Sequence, residues 1–194
     1  MVPAYLDTAD KRAGRTGSVI PVWQNWPGMV LLIVGNVVFV AGHQQIGEAV
    51  FALVAFVLIV QMVRWPLRAA LRDPLLAMLV IGFMWLPIGL LLFFIGGVGT
   101  SGATHALTMG AMGGLIMAVS ARAFAHRMDD GLRVRGPVVL CFALITLATV
   151  LRMAGVLDFA AIAWCFGWLI YFLTLLPLLH GPVPRPVFSG ARSR

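Results

Sequence analysis

The sequence is poor in charged residues. They make up 11% of the 194-residue chain, whereas about 25% is usual in soluble proteins. Hydrophobic residues reach 61%, against roughly 45–50% in soluble domains. A soluble domain of this size could not bury so much apolar surface, and disorder requires low hydrophobicity. The composition therefore predicts an integral membrane protein, with the lipid bilayer as its surroundings.

Cysteine is also scarce. The two cysteines, Cys141 and Cys165, both lie in apolar runs, and no C-x-x-C pattern occurs. This excludes a disulfide framework, a thioredoxin-type motif and a c-type haem attachment site. The sequence also lacks paired carboxylates within its apolar runs, a nucleophile–base arrangement and a phosphate-binding loop. Whether the protein is an enzyme stays open, and any redox chemistry would be carried by a cofactor.

The apolar residues form six long runs rather than alternating patterns, which excludes a membrane β-barrel. Each run approaches the roughly 20 residues that a membrane-spanning helix needs. The sequence predicts an all-α, multi-pass protein with a six-helix transmembrane domain over residues 26–181. The remaining residues form an N-terminal segment at 1–25 and a tail at 182–194. The predicted helices lie at about 26–46, 48–64, 74–97, 102–125, 136–157 and 158–180.

Basic residues occur on alternate connections of this six-helix pattern. The loops near 44–48, 97–102 and 156–159 carry no Lys or Arg, whereas the other connections and both terminal segments do. The positive-inside rule then predicts that both termini are cytoplasmic. The same rule accounts for the net charge of +7 without nucleic acid as a partner.

Three ionisable residues are predicted to lie at a similar depth near the outer ends of their helices. They are His43 in helix 1, His105 in helix 4 and Arg152 in helix 5. Ionisable groups inside a membrane are costly and are therefore functional candidates. Haem iron takes neutral imidazoles as axial ligands, and an arginine can pair with a propionate. This layer is the predicted cofactor site, with b-type haem as the first candidate.

Each of these residues also has a structural interpretation. His43 is compatible with an ordinary helix-end residue, and His105 with a hydrogen-bonding residue between packed helices. Arg152 could extend to the interface or pair with Asp158. Similar depth does not establish contact, because the sequence leaves the helix neighbours undetermined.

Helix 4 contains two further patterns. Met109 and Met112 follow His105 on one helical face, and imidazole with thioether is a donor set that suits Cu(I); ordinary packing of methionine is the alternative. Small residues recur every fourth position, which favours close approach of another helix. They are Gly102, Ala106, Gly110, Gly114 and Ala118.

A second, inner layer contains Arg122, His126 and His180 near the predicted cytoplasmic face. His126 is a candidate metal ligand in this layer, and it is a weaker candidate than the residues of the outer layer. Ordinary residues at the membrane interface are the alternative interpretation.

The stretch HALTMGAMGGLIMAVSARAFAH, from His105 to His126, resembles the signature of the NnrS family. The run from Arg64 to Leu90, Arg152 in the following helix and the closing W-x(6)-Y-x(5)-P pattern from Trp164 are also similar to that family. The similarity covers roughly residues 20–185.

The resemblance implies a polytopic bacterial inner-membrane protein associated with haem and copper and with the response to nitric oxide. It makes His105 the first candidate ligand, followed by His43 and His126. Members of the family are about twice as long, and this chain resembles their C-terminal half. The chain nevertheless has its own leader and a complete charge pattern, so a homodimer that rebuilds the full architecture is one expectation. Nitric oxide is a candidate ligand.

Two other functions fit the same residues. A half-size transporter acting as a dimer would use the glycine-rich helices 3 and 4 together with Arg152 to line a pathway. An assembly or docking protein without a cofactor would use the small-residue face of helix 4 to bind a partner.

Overall fold

The computed structural model describes residues 26–96, 99–128, 131–133 and 136–179. Its α-helices are α1 Trp26–Val40, α2 Gln44–Val63, α3 Leu67–Ala70, α4 Pro74–Ile95, α5 Gly99–His105, α6 Gly114–Ala123, α7 Gly136–Met153 and α8 Leu157–Leu175. A π-helix, Ala106–Gly113, joins α5 to α6, and a 3-10 turn, Leu176–Leu179, follows α8. We term the continuous run Gly99–Ala123 the central helix.

Five helices are long and apolar enough to cross a bilayer: α2, α4, the central helix, α7 and α8. The sixth, α1, is apolar but has 15 residues. Large apolar side chains remain exposed on the outer faces, including Val37, Phe56 and Phe159 at 63–65%. Exposure of these apolar surfaces to water would be unfavourable, whereas lipid can cover them. The prediction of a helical multi-pass membrane protein is confirmed, whereas the cytoplasmic location of the termini stays a prediction.

A short β-hairpin departs from the all-helical prediction. Strand β1, His126–Met128, pairs antiparallel with β2, Gly131–Arg133, and Arg127 lies opposite Leu132. The hairpin connects the central helix to α7. Its basic residues favour an aqueous location at the end of the helical bundle.

The first helix ends earlier than the sequence predicts. It stops at Val40 instead of continuing to position 46, because Gly42 adopts a left-handed conformation with φ of 92°. The Gly42 amide donates to Phe39 O and the His43 amide to Val38 O. These two bonds form a Schellman cap, in which glycine avoids the steric cost of a positive φ.

The same cap ends α7 at Met153, before the predicted boundary at 157. Gly155 has φ of 78° and donates its amide to Arg152 O, while Val156 donates to Leu151 O. The cap places Arg152 in the last turn of α7, beside the short connection to α8.

An N-terminal cap determines where α4 begins. The Asp73 carboxylate accepts hydrogen bonds from the amides of Leu75 and Leu76, at 2.9 and 3.4 Å. Pro74 occupies the first helical position, where the missing N–H is not needed. The helix therefore begins at the predicted residue.

Helices consecutive along the chain form most of the packing, and the central helix lies between α4 and α7. Its glycines allow this close approach. A Cβ built at Gly82 of α4 would lie 3.2 Å from the backbone carbon of Gly114. A Cβ at Gly110 would lie 2.5 Å from Trp85 Cγ. The small residues predicted for helix packing therefore serve that purpose at these two positions of the central helix.

One hydrogen bond between side chains joins the central helix to α8. The hydroxyls of Ser120 and Tyr171 lie 2.6 Å apart, and Ser120 also donates toward Ile116 O at 2.7 Å. Tyr171 is 5% exposed. The bond satisfies a phenol that would otherwise be unpaired in an apolar interior.

The contact between Gly110 and Trp85 predicts that Gly110→Ala destabilises the fold. The added methyl group overlaps the indole, so the free energy of unfolding should fall by about 1–3 kcal/mol, as for other overpacked cores. Thermal unfolding of the detergent-solubilised protein measures the effect.

Gly136→Ala is the matched control, because a Cβ there meets nothing within 4 Å. It should leave the unfolding temperature unchanged or raise it slightly. Equal destabilisation by both substitutions would contradict the packing argument.

Candidate functional site

A cavity of about 520 Å³ lies between the central helix, α7 and α8. Four of its lining side chains can bind or stack on a ligand: His105, Met109, Arg152 and Trp164. The volume falls within the roughly 300–1,000 Å³ range of small-molecule sites. We term this the His105 cavity. It lies at the end of the bundle where the short turns 41–43 and 154–156 occur.

The backbone at this cavity is unusual. His105 is the last residue of α5, and the π-helix begins at the next residue and contains Met109. A π-helix bonds each amide five residues back, is rare and frequently occurs at functional sites. Its altered turn decides which central-helix residues share a face, so faces assigned from the sequence with ideal α-helical spacing do not apply here.

The orientation of His105 is determined by its own helix. Its Nδ1 lies 2.6 Å from Ser101 O. A carbonyl oxygen only accepts hydrogen bonds, so Nδ1 carries the proton in the neutral imidazole. The Nε2 lone pair is then the available donor to a metal, in the arrangement typical of ligating histidines.

Arg152 is partly buried and lines the same cavity from the end of α7. Within the described part of the chain, its guanidinium makes no ion pair or side-chain hydrogen bond. Asp158 therefore does not form the predicted alternative pair with it. An arginine without a partner beside an apolar cavity is costly and is available to bind an anionic group.

Trp164 forms the wall contributed by α8. A Cβ at Gly113 would lie 2.8 Å from its ring, so the indole packs directly on the π-helix. Its ring also meets Trp168 edge-on, with centroids 5.9 Å apart. Gly113 is the residue of the sequence that leaves room for this bulky side chain.

His43 lies elsewhere. It is an exposed residue in the turn between α1 and α2 and does not line the His105 cavity. Helix α1 packs on α2, which packs on α4, whereas α7 packs on the central helix and on α8. Similar depth along the helices is thus compatible with lateral separation. Within one chain, the structure unites His105 with Arg152 but leaves His43 apart.

The remaining candidate ligands differ in position. Met109 lines the cavity with His105, whereas Met112 is 62% exposed and does not. His126 begins β1 with its backbone opposite Arg133, and its side chain lies outside those described, as does all of His180. The role of His126 as a metal ligand stays a prediction.

Among the described residues, no group of three or more His, Cys, Asp or Glu side chains forms a metal site. The His105 cavity instead combines one imidazole, one thioether and one guanidinium. Such a set can supply a single nitrogen ligand and a counter-charge to a cofactor that brings its own metal.

Taken together, these features define a multi-pass membrane protein with a cavity between three of its helices. A family model described as NnrS protein matches residues 11–182, and the chain belongs to the NnrS family. Searches of curated proteins and of solved structures find no match.

Because Arg152 has no partner among the described residues, we predict that Arg152→Met stabilises the protein in the absence of ligand. Removal of the charge should raise the free energy of unfolding by up to about 2.5 kcal/mol. This is the lower end of the range of costs for placing an arginine at the centre of a membrane helix. Thermal unfolding in detergent measures the change.

Arg64→Met is the control, since Arg64 is exposed beyond the end of α2 and should affect stability little. A destabilised Arg152→Met variant would mean that the guanidinium has a partner that stabilises the fold.

Proposed function

We propose that the His105 cavity binds b-type haem and that the protein acts in the response to nitric oxide at the bacterial inner membrane. The observation that carries the proposal is the single cavity that unites His105 and Arg152. The family resemblance is the reason for testing haem and copper as cofactors and nitric oxide as a ligand.

The donor set fits haem in two respects. His105 has its Nδ1 proton engaged by Ser101 O at 2.6 Å, so Nε2 would be the atom that holds the haem iron. Arg152 is unpaired within the described residues, and its planar guanidinium suits a propionate. Trp164 and the π-helix provide a flat wall against which a macrocycle can pack.

The lateral separation of His43 changes the expected ligation. A bis-histidine arrangement within one chain does not follow from this fold, so His105 is the one histidine ligand that we propose. When bound, haem would supply an iron centre able to bind nitric oxide. The protein's own part is to orient the imidazole, neutralise a propionate and limit access of water.

The basic residues support an orientation. Arg68 and Arg72 precede α4, and Arg127 and Arg133 lie on the hairpin, all at the end opposite the His105 cavity. The positive-inside rule puts that basic end in the cytoplasm. We therefore propose that the His105 cavity faces the outer side of the membrane.

Copper is the second candidate because Met109 lines the cavity together with His105. Thioether and imidazole together favour Cu(I) over harder metals. Copper binding should depend on Met109, whereas haem binding through His105 and Arg152 should tolerate Met109→Leu, a substitution that keeps the side-chain volume similar.

The test is the absorption spectrum of detergent-purified protein, oxidised and reduced, after expression with added haem. We expect a Soret band in the wild type and in His43→Ala, and its loss in His105→Ala. Arg152→Gln should retain the band with weaker haem binding, by about tenfold for a lost charged hydrogen bond.

Metal analysis of the same preparations distinguishes the two cofactors. Copper without haem, lost in Met109→Leu, would favour the copper site. Wild-type protein that stays colourless and metal-free at every level of haem and copper would contradict both proposals and favour the transporter or docking alternatives.

A further inference from the structure

A second cavity lies at the opposite end of the bundle. It measures about 330 Å³ and is enclosed by α1, α2, α4 and α6 together with Trp65. It shares no lining residue with the His105 cavity. We term it the Trp65 cavity. Met29, which is 55% exposed, lines its edge, so the cavity opens to the surroundings beside α1.

The Trp65 cavity is long and has an apolar body. Its wall on α4 runs from Leu79 to Leu90, about 16 Å at 1.5 Å per residue. Val54 and Leu58 line it from α2. Such a shape suits a single apolar chain lying parallel to the helices.

Hydrogen-bonding groups occur at one end of the cavity. Of its described lining side chains, only those of Gln61 and Trp65 carry such groups, and none is charged. Trp65 is 6% exposed, and its Nε1 has no hydrogen-bond partner among the described residues. The Gln61 amide likewise makes no side-chain hydrogen bond within that part of the chain. Unpaired polar groups in an apolar interior cost free energy that a ligand can offset.

Aromatic rings adjoin these polar groups. The Trp65 and Phe83 rings have centroids 5.1 Å apart at an interplanar angle of 53°. Both side chains line the cavity. Aromatic side chains favour a flat conjugated ring as a neighbour. The indole N–H only donates, so the ligand must offer an acceptor such as a carbonyl.

We propose that the Trp65 cavity binds a membrane quinone. Its ring would lie at the Gln61–Trp65 end, with a carbonyl as the acceptor, and its apolar tail would extend along α4 toward Leu90. A phospholipid fits less well, because it brings a charged phosphate and two chains to a narrow cavity where no described side chain is charged. The proposal does not depend on haem, since the two cavities share no residues.

The test is a titration of the full-length protein in detergent with decylubiquinone, followed by quenching of tryptophan fluorescence. We expect saturable quenching in the wild type. Gln61→Leu keeps the volume but removes the amide, and should weaken binding about tenfold for one hydrogen bond. Trp65→Phe should remove the component of quenching that saturates at low quinone and leave only non-specific quenching.

Glycine substitutions at helix beginnings supply matched controls. Gly28 lines the cavity, and Gly136 begins α7; a Cβ at either meets nothing within 4 Å. Gly28→Phe should fill the cavity and abolish saturable quenching, whereas Gly136→Phe should bind like the wild type. Elution as a single symmetric species on gel filtration checks that each variant is folded.

Two results would overturn the proposal. Quenching that never saturates, or that persists unchanged in Gly28→Phe, would mean that the quinone merely partitions into the micelle. The second result comes from solvent extraction of protein purified without added quinone. If the extract contains phospholipid but no quinone, and Gly28→Phe displaces that phospholipid, the cavity holds a lipid chain. Co-purified quinone lost in Gly28→Phe but kept in Gly136→Phe is the expected outcome.

Discussion

The close approach of α4 to the central helix is the contact on which the rest of the structure depends. Lipid offers no hydrophobic force to drive helices together, so their association requires tight packing. Gly82 and Gly114 bring the two backbones into contact, and the missing side chain of Gly110 leaves room for the Trp85 indole. The central helix contributes side chains to the walls of both cavities. Side chains larger than hydrogen at these glycines would separate the helices that form the cavity walls.

Polar groups in this bundle differ in whether a partner satisfies them. Most hydroxyls bond within their own helix, as Thr108 does to Thr104 O and Thr149 to Ile145 O. These bonds give each hydroxyl hydrogen an acceptor within its own helix. Arg152 and Gln61 have no such partner among the described residues, and each lines a cavity. An unpaired polar group in an apolar bundle lowers stability, which makes these two residues candidates for ligand binding.

Much of the architecture could be predicted from the sequence, because lipid permits few backbone structures. A spanning segment must satisfy its own hydrogen bonds, so long apolar runs become helices. The helix boundaries were less predictable. Gly42 and Gly155 end α1 and α7 early through Schellman caps, and the apolar residues beyond them do not continue the helix. The π-helix after His105 was also missed, since residue composition carries no clear signal for an extra residue in a helical turn.

The sequence by itself determined the membrane environment, the number of apolar helices and the residue types that can bind a cofactor. These follow from composition and from local hydrogen bonding, which neighbours along the chain decide. Only the tertiary structure decided which of those residues meet. His43 and His105 occupy similar depths, yet α4 and the central helix separate them, whereas the cap at Gly155 brings Arg152 to the His105 cavity. Depth is a one-dimensional property that a sequence encodes, but lateral contact depends on how helices pack side by side.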